Sequence, residues 1–436
     1  MASEWRNWTG DQRCFPAVVE RPRTLEGLIY AVRRAVDRGL TVHAAGSGHS
    51  FTEAALTDGA MIRIEALNRL LDADPASGLV KVEAGITLRD LSATLWERGL
   101  AMENLGDIDR QTLAGAISTA THGTGAEFRN LSAQVEALEL VLADGSVIEV
   151  SEQADRDSYR AARVGLGALG VVYSATLRVV PAFTLHRVDA PRPFEQTLAS
   201  IDELAARNDH FEFFVFPYTD TALTIERNRA DGPPRPRGLV SAYLNEIVVQ
   251  NHALDLLSRV GRRFPSTIPR LVGFAARQFS HTERTDRSYR IFASERRVRF
   301  TEMEYAIPRQ HGPEAVRRVL SLVRERALPV GFPIEFRLVA PDDALLSPAH
   351  ERETAYVAVH QYQGATWEPY FRAVERIMSE YEGRPHWGKR HFQTAVTLEK
   401  LYPRWDDFQK VRARLDPEGR FSNAYTDRVL GRVGAP

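Results

Sequence analysis

Residues 46–50 form the first set in this sequence that could do chemistry. They follow a short apolar run and read Gly46, Ser47, Gly48, His49 and Ser50. Two glycines let backbone amides point into one concavity, and such a nest binds phosphate because no side chain blocks the converging N–H groups. A tight turn is the commoner use of a Gly-Ser loop. The loop alone therefore leaves both alternatives open.

His49 adds a reactive side chain to this loop. A lone histidine is most often a surface residue, but here it could also be a base, a metal ligand or the attachment point of a cofactor. No histidine or cysteine stands nearby at the spacing of a metal ligand, so the sequence predicts no metal site.

A second stretch, residues 104–125, is rich in small residues and hydroxyls. It contains Asn104-Leu105-Gly106-Asp107 and, from residue 119, the run Thr-Ala-Thr-His-Gly-Thr-Gly. Small side chains let a flat ring approach the backbone, and hydroxyls such as those of Ser118 and Thr121 can donate hydrogen bonds to it. A pair of loops rich in turn residues is the alternative.

An acidic and a basic residue alternate in the run Ile334-Glu335-Phe336-Arg337-Leu338. The side chains of a strand have period two, which puts Glu335 and Arg337 on one face. Such a pair could orient substrate hydroxyls and stabilise developing negative charge. An exposed salt bridge worth about 0–1 kcal/mol is the commoner fate of such a pair.

Two more side chains are candidate functional residues. His360 shares a face with Ala358 and Tyr362 on the next run, where it is either a site group or a hydrogen-bonded core histidine. Lys389 closes the run His-Trp-Gly-Lys from residue 386 and is one of four lysines in the chain. It either brings a cation to a cofactor or an anion, or is a solvated loop residue.

Three glycines at 165, 167 and 170 match the pattern G-x-G-x-x-G. A dinucleotide site of the Rossmann type needs a strand before this motif and a helix after it. Here a polar, Arg-rich segment precedes the motif and β-branched residues follow from 171 to 180. This context predicts no nicotinamide Rossmann site.

The elements that must position these residues alternate in the first 180 positions. A helical pattern begins at Thr24 and ends at Gly39, and residues 40–45 then lead into the glycine loop. A second helix begins after Thr87, which forms a predicted capping box with Asp90. Alternation around Asp144-Gly145 predicts a hairpin over 138–150.

The pattern changes in the second half. Runs at 211–216 and 298–305 indicate a second sheet, and helical stripes at 316–323 and 370–381 would cover it. The last predicted helix runs through 408–415. The sequence therefore predicts an α+β chain with an N-terminal half and a separate C-terminal half.

Composition limits the partners. The chain has 436 residues with 56 basic and 57 acidic side chains, and a net charge of -1 argues against a dedicated binder of nucleic acid or of an anionic membrane. A single cysteine, Cys14, favours a reducing cytoplasmic setting. The N-terminus lacks the regions of a signal peptide, and no window approaches about 18 apolar residues, so no membrane span is expected.

Taken together, these motifs resemble the aldonolactone oxidoreductases of the vanillyl-alcohol-oxidase flavoprotein superfamily. They stand in that family's order and cover nearly the whole chain. The resemblance implies an α+β, two-domain FAD-binding fold. The FAD-binding domain would span residues 1–182, an α+β cap domain on an antiparallel sheet residues 183–385, and a segment that returns to the FAD-binding domain residues 386–436.

The resemblance also assigns residues to the cofactor. The glycine loop would take the pyrophosphate, and a histidine at position 49 implies FAD bound covalently through the flavin 8α-methyl group. The implied cofactor contacts are Gly46, Ser47, Gly48, His49, Ser50, Gly106, Ser118, Thr121, His122, Gly123, Gly170 and Lys389.

By the same resemblance, flavin N5 accepts hydride from a carbinol carbon while the hydroxyl proton leaves. Glu335 would hydrogen-bond the substrate, and Arg337 would stabilise the nascent alkoxide or the flavin anion. Lys389 would lie near the N1/C2=O edge of the flavin, where negative charge develops on reduction. His360 is a further candidate for taking the proton.

Gly106 bears on the electron acceptor. Dehydrogenases of the family tend to carry a bulkier residue at this position, which obstructs oxygen, whereas glycine leaves the path open. We therefore expect an oxidase that uses O2 and releases hydrogen peroxide, with a cytochrome or quinone acceptor as the alternative. Chain length and the run Glu-Tyr-Ala-Ile-Pro at 304–308 favour a gulono-, galactono- or arabinono-1,4-lactone, oxidised at C2, over a sugar alcohol or alditol.

Overall fold

The N-terminal part of the chain is built from short strands and helices. The computed structural model describes residues 4–236, 254–294 and 298–434. The strands of this part are β1 (Trp5–Arg6), β2 (Arg13–Cys14), β3 (Val18–Glu20), β4 (Val42–Ala45), β5 (Ala60–Arg63), β6 (Leu70–Asp74), β7 (Leu79–Glu83), β8 (Leu100–Ala101), β9 (Val135–Val141), β10 (Val147–Ser151), β11 (Val171–Arg178) and β12 (Val180–Pro181). The helices are α1 (Leu25–Asp37), α2 (Leu88–Trp96), α3 (Leu113–Ser118) and α4 (Arg156–Ala162), and Glu53–Ala55 and Leu131–Gln134 are 3-10 turns.

Two sheets of this part carry most of its core. One is parallel in the order β3-β5-β4, and the other is antiparallel in the order β10-β9-β11-β7-β6. Apolar residues of both sheets pack with the buried stripe of α1 in one core. The pairs β1-β2 and β12-β8 complete the part.

The elements that deliver the glycine loop match the sequence predictions. The Thr24 side chain caps α1 by accepting from Gly27 N, and Gly39 ends it with φ +73°. β4 then ends directly before residue 46. The predicted hairpin is confirmed, since β9 and β10 pair antiparallel around Gly145, whose φ is +82°.

The capping box at α2 is only half formed. The Thr87 side chain accepts a hydrogen bond from Asp90 N, as predicted. The Asp90 carboxylate, however, accepts from the Thr87 hydroxyl at 2.7 Å. The cap is therefore made by the threonine alone, because the two side chains bond to each other.

The second part of the chain is one large antiparallel sheet with helices on it. Its strands are β13 (Thr184–Pro193), β14 (His210–Val215), β15 (Thr221–Ala230), β16 (Thr282–Arg287), β17 (Phe300–Pro308), β18 (Ile334–Val339), β19 (Thr354–Tyr362) and β20 (Arg384–Pro385), in the order β16-β13-β15-β14-β18-β19-β17-β20. Its helices are α5 (Phe194–Ala199), α6 (Ile201–Arg207), α7 (Leu254–Arg263), α8 (Ile268–Ala276), α9 (Ser288–Phe292), α10 (Gly312–Glu325) and α11 (Glu368–Ser379), with 3-10 turns at Pro265–Thr267 and Arg309–His311.

One face of this sheet packs on α10 and α11. The apolar residues of β18, Ile334, Phe336 and Leu338, join the core that the two helices cover. Because strand side chains alternate, Glu335 and Arg337 point to the opposite face. The predicted antiparallel sheet of the cap and its helical cover are thus confirmed.

The C-terminal residues return to the first core. They form α12 (Ala395–Leu398), α13 (Trp405–Leu415) and α14 (Ala424–Leu430). Trp387, Phe408 and Val429 pack with the N-terminal core residues, as Ile291 and Leu345 also do. The predicted domain limits stay a prediction.

The expectation that the last helix lies at 408–415 is wrong, because α14 follows it. Asn423 begins α14 with a capping box in which its side chain accepts from Thr426 N and the Thr426 side chain accepts from Asn423 N. The short Asn-x-x-Thr signal lies between two turns, where helical periodicity is too brief to detect.

None of the helices in the described ranges is long and apolar enough to cross a bilayer. Cys14 is buried and carries a free thiol. The cytoplasmic location stays a prediction.

Candidate active site

The glycine loop forms one wall of a cavity between the two sheets of the N-terminal part. A Cβ built on Gly46 would lie 2.1 Å from Thr112 Oγ1, so a side chain at this position would collide with α3's cap. Gly48 has φ +70°, which other residues rarely adopt. The wall therefore requires glycine at both positions.

The backbone amides of the loop are available to a ligand. Those of residues 47 to 50 donate to no acceptor in the described part of the chain. Four consecutive free N–H groups at a cavity wall fit an anion, because their dipoles can converge on one negatively charged group. The pyrophosphate of FAD fits this arrangement.

His49 lines the same cavity. Its ring stacks on Trp8 with centroids 5.5 Å apart. Burial, together with the positive charges of Arg110 and Lys389, lowers the pKa of His49 to about 4. The imidazole is therefore neutral at physiological pH, the form in which its nitrogens are nucleophilic.

The structure brings only some of the predicted cofactor contacts into the cavity. Residues 46–50, Ser118 and Gly170 line it, together with Gly167 of the same motif. This motif follows helix α4 and precedes the β-branched strand β11, the reverse of the order in a Rossmann site. The motif is thus part of the cavity without being a dinucleotide fingerprint.

The other predicted contacts are outside the cavity walls: four of them, Gly106, Thr121, His122 and Gly123, are in the segment 104–125, and the fifth is Lys389. Thr121 is joined to the cavity through Gln111, whose Nε2 donates to the Thr121 hydroxyl at 3.3 Å. Gly106 lies against this segment, since a Cβ built on it would be 3.1 Å from the carbonyl oxygen of His122. Gly123 is also held closely, with Leu105 O 2.4 Å from its virtual Cβ.

His122 connects this segment to the large sheet. Its Nε2 is 3.2 Å from Glu304 Oε1, and its ring stacks on Tyr356 at 3.7 Å between centroids. Its Nδ1 is 2.8 Å from the Gly123 carbonyl oxygen. Burial alone would raise the pKa of Glu304, but His122 holds it below its usual value.

Strand register assembles charged residues on the sheet face that α10 and α11 leave free. Glu335 is opposite Ala358, which is opposite Glu304 on the next strand. Arg337 is opposite Glu212 of β14, and His360 is opposite Glu302 of β17. All six side chains of this face are buried, namely Glu212, Glu302, Glu304, Glu335, Arg337 and His360.

Glu335 and Arg337 form the predicted pair, joined by a direct ion pair. Arg337 Nη2 also lies 3.4 Å from Asp107 Oδ2. Burial raises the pKa of Glu335 well above its usual value, against the opposing effect of the Arg337 guanidinium. The pair is therefore a buried group, and the exposed salt bridge considered from the sequence is wrong.

His360 is both a hydrogen-bonded histidine and a neighbour of the pair. Its Nδ1 is 3.1 Å from the Pro333 carbonyl oxygen. Its Nε2 lies 3.5 Å from Glu302 Oε1 and 3.8 Å from Glu335 Oε2. One nitrogen is thus oriented by the backbone, and the other faces the carboxylates.

Lys389 is an ion-paired residue of this cluster. Its ammonium group pairs with Glu302, and its Nζ lies 5.4 Å from the centre of the Phe51 ring. Burial alone would lower the pKa of Lys389, but Glu302 and Glu304 raise it above its usual value. The segment before it docks on the glycine loop, since Phe51 N donates to the Gly388 carbonyl at 2.7 Å.

Sequence reasoning missed the acidic partners Glu212, Glu302 and Glu304. A signal was present in β17, where Glu302 and Glu304 alternate with apolar residues as Glu335 does in β18. The sequence alone could not predict that β14, β17, β18 and β19 pair with one another, because periodicity describes one strand at a time and not its neighbours in the sheet.

Two groups of the described residues have possible metal-ligand atoms within 4.8 Å of one another, namely His122, Glu304 and His386, and Glu302, Glu335 and His360. Lys389 already supplies a cation to Glu302. The predicted absence of a metal stays a prediction.

Comparison with known proteins identifies the family. A family model described as D-arabinono-1,4-lactone oxidase matches residues 175–429, and one described as FAD binding domain matches residues 16–151. The chain belongs to the D-arabinono-1,4-lactone oxidase family. As a member of this family it is an FAD-dependent oxidoreductase, and the resemblance to aldonolactone oxidoreductases is confirmed.

Named relatives of this family member span the whole chain. The L-gulono-1,4-lactone dehydrogenase of Mycobacterium tuberculosis (strain CDC 1551 / Oshkosh) is 53% identical over 99% of this chain and 100% of the relative. The L-gulonolactone oxidase of Mus musculus is 33% identical over 98% of each chain. The alditol oxidase of Streptomyces sp. (strain IKD472 / FERM P-14339) is 30% identical over 99% of this chain and 100% of the relative.

Solved structures share the fold. Cholesterol oxidase from B. sterolicum has a TM-score of 0.81 and 16% identity, covering 98% of this chain and 96% of its own. At this identity the match shows the architecture alone. The predicted two-domain FAD-binding fold is thereby confirmed.

Proposed function

We propose that the protein oxidises a secondary hydroxyl of a sugar-derived 1,4-lactone of the gulono-, galactono- or arabinono- type. The observation that carries this proposal is the buried Glu335–Arg337 pair with His360 Nε2 beside it. Together they offer a vicinal diol a carboxyl group, a cation and a base. Relatives named for gulonolactone and arabinonolactone support the lactone as substrate.

Each side chain of this cluster has a distinct part in the proposed reaction. Glu335 binds a substrate hydroxyl, and because its pKa is raised by burial it can donate as well as accept a hydrogen bond. Arg337 keeps its positive charge, since Glu335 and Glu212 hold its pKa above the usual value against burial. It stabilises the alkoxide that forms as the proton leaves. His360 receives that proton at Nε2.

The cofactor site supplies the oxidant. Bound FAD would accept two electrons from the substrate carbon. The free amides of the glycine loop would hold its pyrophosphate. Lys389 places a fixed cation between the glycine loop and the carboxylates of the sheet, where it favours negative charge developing during reduction.

Covalent attachment of FAD through His49 is part of this proposal. The neutral imidazole lines the cavity, and Trp8 fixes its orientation by stacking. An absorption spectrum taken before and after acid precipitation tests both FAD binding and its covalent attachment. Yellow colour that stays with the precipitate supports attachment, and a purified protein that stays colourless after incubation with FAD would contradict FAD binding.

Dioxygen is the electron acceptor that we propose. The substrate loses two electrons and two protons, and O2 takes them to become hydrogen peroxide. Gly106 leaves the segment beside His122 without a side chain, which supports access for a small molecule. The alternative is a cytochrome or quinone acceptor, and the name dehydrogenase of the relative at 53% identity is the observation that supports an acceptor other than O2.

A substrate and acceptor panel tests the proposal. Oxygen consumption, peroxide release and cytochrome c reduction are measured with L-gulono-, L-galactono- and D-arabinono-1,4-lactone, and with xylitol and sorbitol. We expect turnover of a lactone with peroxide release. Turnover of polyols alone would favour the alditol alternative that the Streptomyces relative suggests, and cytochrome reduction without peroxide would assign a dehydrogenase.

A further inference from the structure

Two buried tyrosines, Tyr356 and Tyr402, carry hydroxyl groups that the mechanism does not use. Tyr356 of β19 is 0% exposed, and Tyr402, between α12 and α13, is 1% exposed. Neither hydroxyl has a hydrogen-bond partner among the residues that the structure describes. Burying an unpaired hydroxyl is unfavourable, because it has given up its hydrogen bonds to water. The two hydroxyls therefore indicate a further partner.

Strand register brings Tyr356 beside a buried arginine, Arg384. Tyr356 is opposite Ala306 of β17, which is in turn opposite Arg384 of β20. Residues directly opposite one another share a face of the sheet. The guanidinium carbon of Arg384 also lies 5.3 Å from the centre of the Tyr402 ring. Arg384 thus connects the two tyrosines across Ala306, which has no polar side chain.

Arg352 brings a second guanidinium group to the same place. Its Nη2 donates to the Ala306 carbonyl at 2.6 Å, and its Nη1 donates to the Glu382 carbonyl at 3.1 Å. Its Nε is buried and has no acceptor within the described ranges. One N–H donor of Arg352 is therefore left over in addition to the two hydroxyls.

Electrostatic effects show that the four side chains are neighbours. Burial and the positive charge of Arg384 lower the pKa of Arg352 to about 10. Burial raises the pKa of Tyr402, and both arginines act against this rise. Arg352 opposes the raised pKa of Tyr356 in the same way. Two guanidinium groups thus share a buried place with two phenol groups.

The acidic residues nearby do not neutralise the two arginines by contact. Among the described residues, no carboxylate oxygen lies within 4.0 Å of a nitrogen of either guanidinium group. Arg384 instead donates to the backbone carbonyls of Pro348, His350 and Leu401. The guanidinium groups are held in place without a paired negative charge.

Two carboxylates act on the arginines from a distance. Asp342 is buried, but its Oδ2 already accepts from Asn130 and Ser347 and its Oδ1 from Ala344 N. The Glu382 side chain is exposed, so water screens its charge. Two buried positive charges against the one negative charge of Asp342 leave a surplus of one.

We propose that a small monovalent inorganic anion binds between the guanidinium groups of Arg352 and Arg384 and accepts hydrogen bonds from the hydroxyls of Tyr356 and Tyr402. These four residues define the anion site. All of them are donors, and hydrogen bonds to a charged acceptor are the strong ones. One negative charge balances the surplus, whereas a divalent anion would leave a buried excess of negative charge. Because Arg352 is only half-buried, the site lies below an accessible side chain.

The anion site joins three parts of the chain. Tyr356 stacks on His122 and is opposite Arg337 of the candidate active site. Tyr402 packs in the core of the N-terminal part, and Arg384 is on the edge strand of the large sheet. A bound anion should therefore stabilise the contact between the cap sheet and the first core.

Thermal unfolding of the intact, FAD-loaded protein tests the proposal. Chloride is the probe, and it is replaced stepwise by gluconate, a much larger anion, at constant ionic strength. A ligand that binds the folded state stabilises it by mass action, so we expect Tm to rise by about 1–2 °C for each tenfold increase in chloride. A Tm that does not depend on chloride would overturn the proposal.

Tyr402→Phe removes a hydroxyl that has no partner in the described chain. Without an anion, losing a buried unpaired hydroxyl should leave Tm unchanged or raise it. With the anion, the variant should have a lower Tm in chloride and need about tenfold more chloride for the same stabilisation, because a hydrogen bond to a charged group is lost. Chloride dependence equal to that of the parent would contradict the proposal.

Tyr370→Phe is the matched control. Tyr370 of α11 is 3% exposed, and its hydroxyl also has no partner among the described residues. Burial and Tyr218, rather than an arginine, raise its pKa. This variant should keep the chloride dependence of the parent, which also controls for general salt effects. A loss of chloride dependence equal to that of Tyr402→Phe would count against the anion site.

Bromide locates the anion directly, because it scatters anomalously. In crystals of the FAD-loaded protein soaked in bromide, we expect an anomalous difference peak between Arg352 and Arg384, beside the two hydroxyls. The peak should be absent or weaker in crystals of Tyr402→Phe. Electron density of a water molecule without an anomalous signal at this place would show that water is the partner, and would overturn the proposal.

Discussion

Glu212 Oε2 accepts a hydrogen bond of 2.8 Å from Arg337 Nε. Its other carboxylate oxygen accepts from Arg227 at 2.6 Å. Glu212 thus lies between two buried arginines, and its pKa is lowered by both although burial alone would raise it. The contact fixes the guanidinium so that Nη2 faces Glu335 and Asp107.

Glu212→Gln should therefore impair both stability and activity. An amide cannot neutralise two arginines, and breaking a buried ion pair by removing one partner costs about 3–5 kcal/mol. Urea unfolding measures the free energy, and steady-state kinetics should show a lower kcat/KM for the lactone. Glu195→Gln, which breaks an exposed pair with Arg317, is the control and should change stability by about 1 kcal/mol or less. Unchanged kcat/KM in Glu212→Gln would show that Arg337 is oriented without it.

His49→Ala should abolish covalent flavin. The reason is that the imidazole at the cavity wall is the proposed nucleophile and is neutral at physiological pH. Flavin fluorescence of the denatured protein band after acid treatment measures attachment. His281→Ala, on the exposed surface of the cap, should keep the fluorescent band. Fluorescence that persists in His49→Ala would place the attachment elsewhere.

Lys389→Met should cost stability because it leaves Glu302 buried without its cation. The expected loss is about 3–5 kcal/mol. Adding Glu302→Gln should restore much of the free energy of unfolding, since the unpaired charge is then removed. Activity should not return, because the cation itself is needed, and loss of one such electrostatic group lowers kcat by about 10²–10³-fold. Equal activity of parent and double variant would remove Lys389 from the reaction.

Gly106→Ala should slow reoxidation by oxygen while substrate reduction is largely kept. The added Cβ would lie 3.1 Å from the His122 carbonyl oxygen, a tight contact that occupies the space beside this segment. Stopped-flow absorbance of the flavin separates the two half-reactions. Gly273→Ala adds a methyl group where no atom lies within 4 Å and should change neither rate. Unchanged oxygen reactivity in Gly106→Ala would remove the argument for an oxidase.

Asp342 should make stability depend on pH between 4 and 7. Burial raises its pKa from 3.8 to about 6, although the Ser347 hydroxyl opposes this. A raised pKa means that the folded state holds the proton more tightly, so this contribution to stability is present below pH 3.8 and is lost as the pH rises through 6. The Tm of the parent minus that of Asp342→Asn should therefore increase as the pH falls from 7 to 5.

Asp343→Asn provides a control of opposite sign for this measurement. The pKa of Asp343 is lowered, against burial, by Arg163. Its contribution is present above pH 3.8 and lost only as the pH falls further. Its Tm difference should be flat between pH 5 and 7, and a flat difference for Asp342→Asn as well would contradict the raised pKa of Asp342.

Local features of the active site could be predicted from sequence alone. The turn at Gly46 and Gly48, and the shared face of Glu335 and Arg337, follow from preferences of residues that are neighbours in the chain. The helix begun at Thr24 and the hairpin at Gly145 were predicted for the same reason. The brief capping signal at Asn423 was missed, because a helix of seven residues has too little periodicity.

The sequence by itself determined the helix begun at Thr24, the position of the glycine loop and the charged pair that shares a strand face, because backbone preferences and side-chain period act over a few residues. Only the tertiary structure decided that Glu212 holds Arg337, that Glu302 pairs with Lys389, and that Glu335 is protonated more readily than usual. Those outcomes depend on the register of strands distant in the chain and on burial, and both arise only when the sheet and the glycine loop come together.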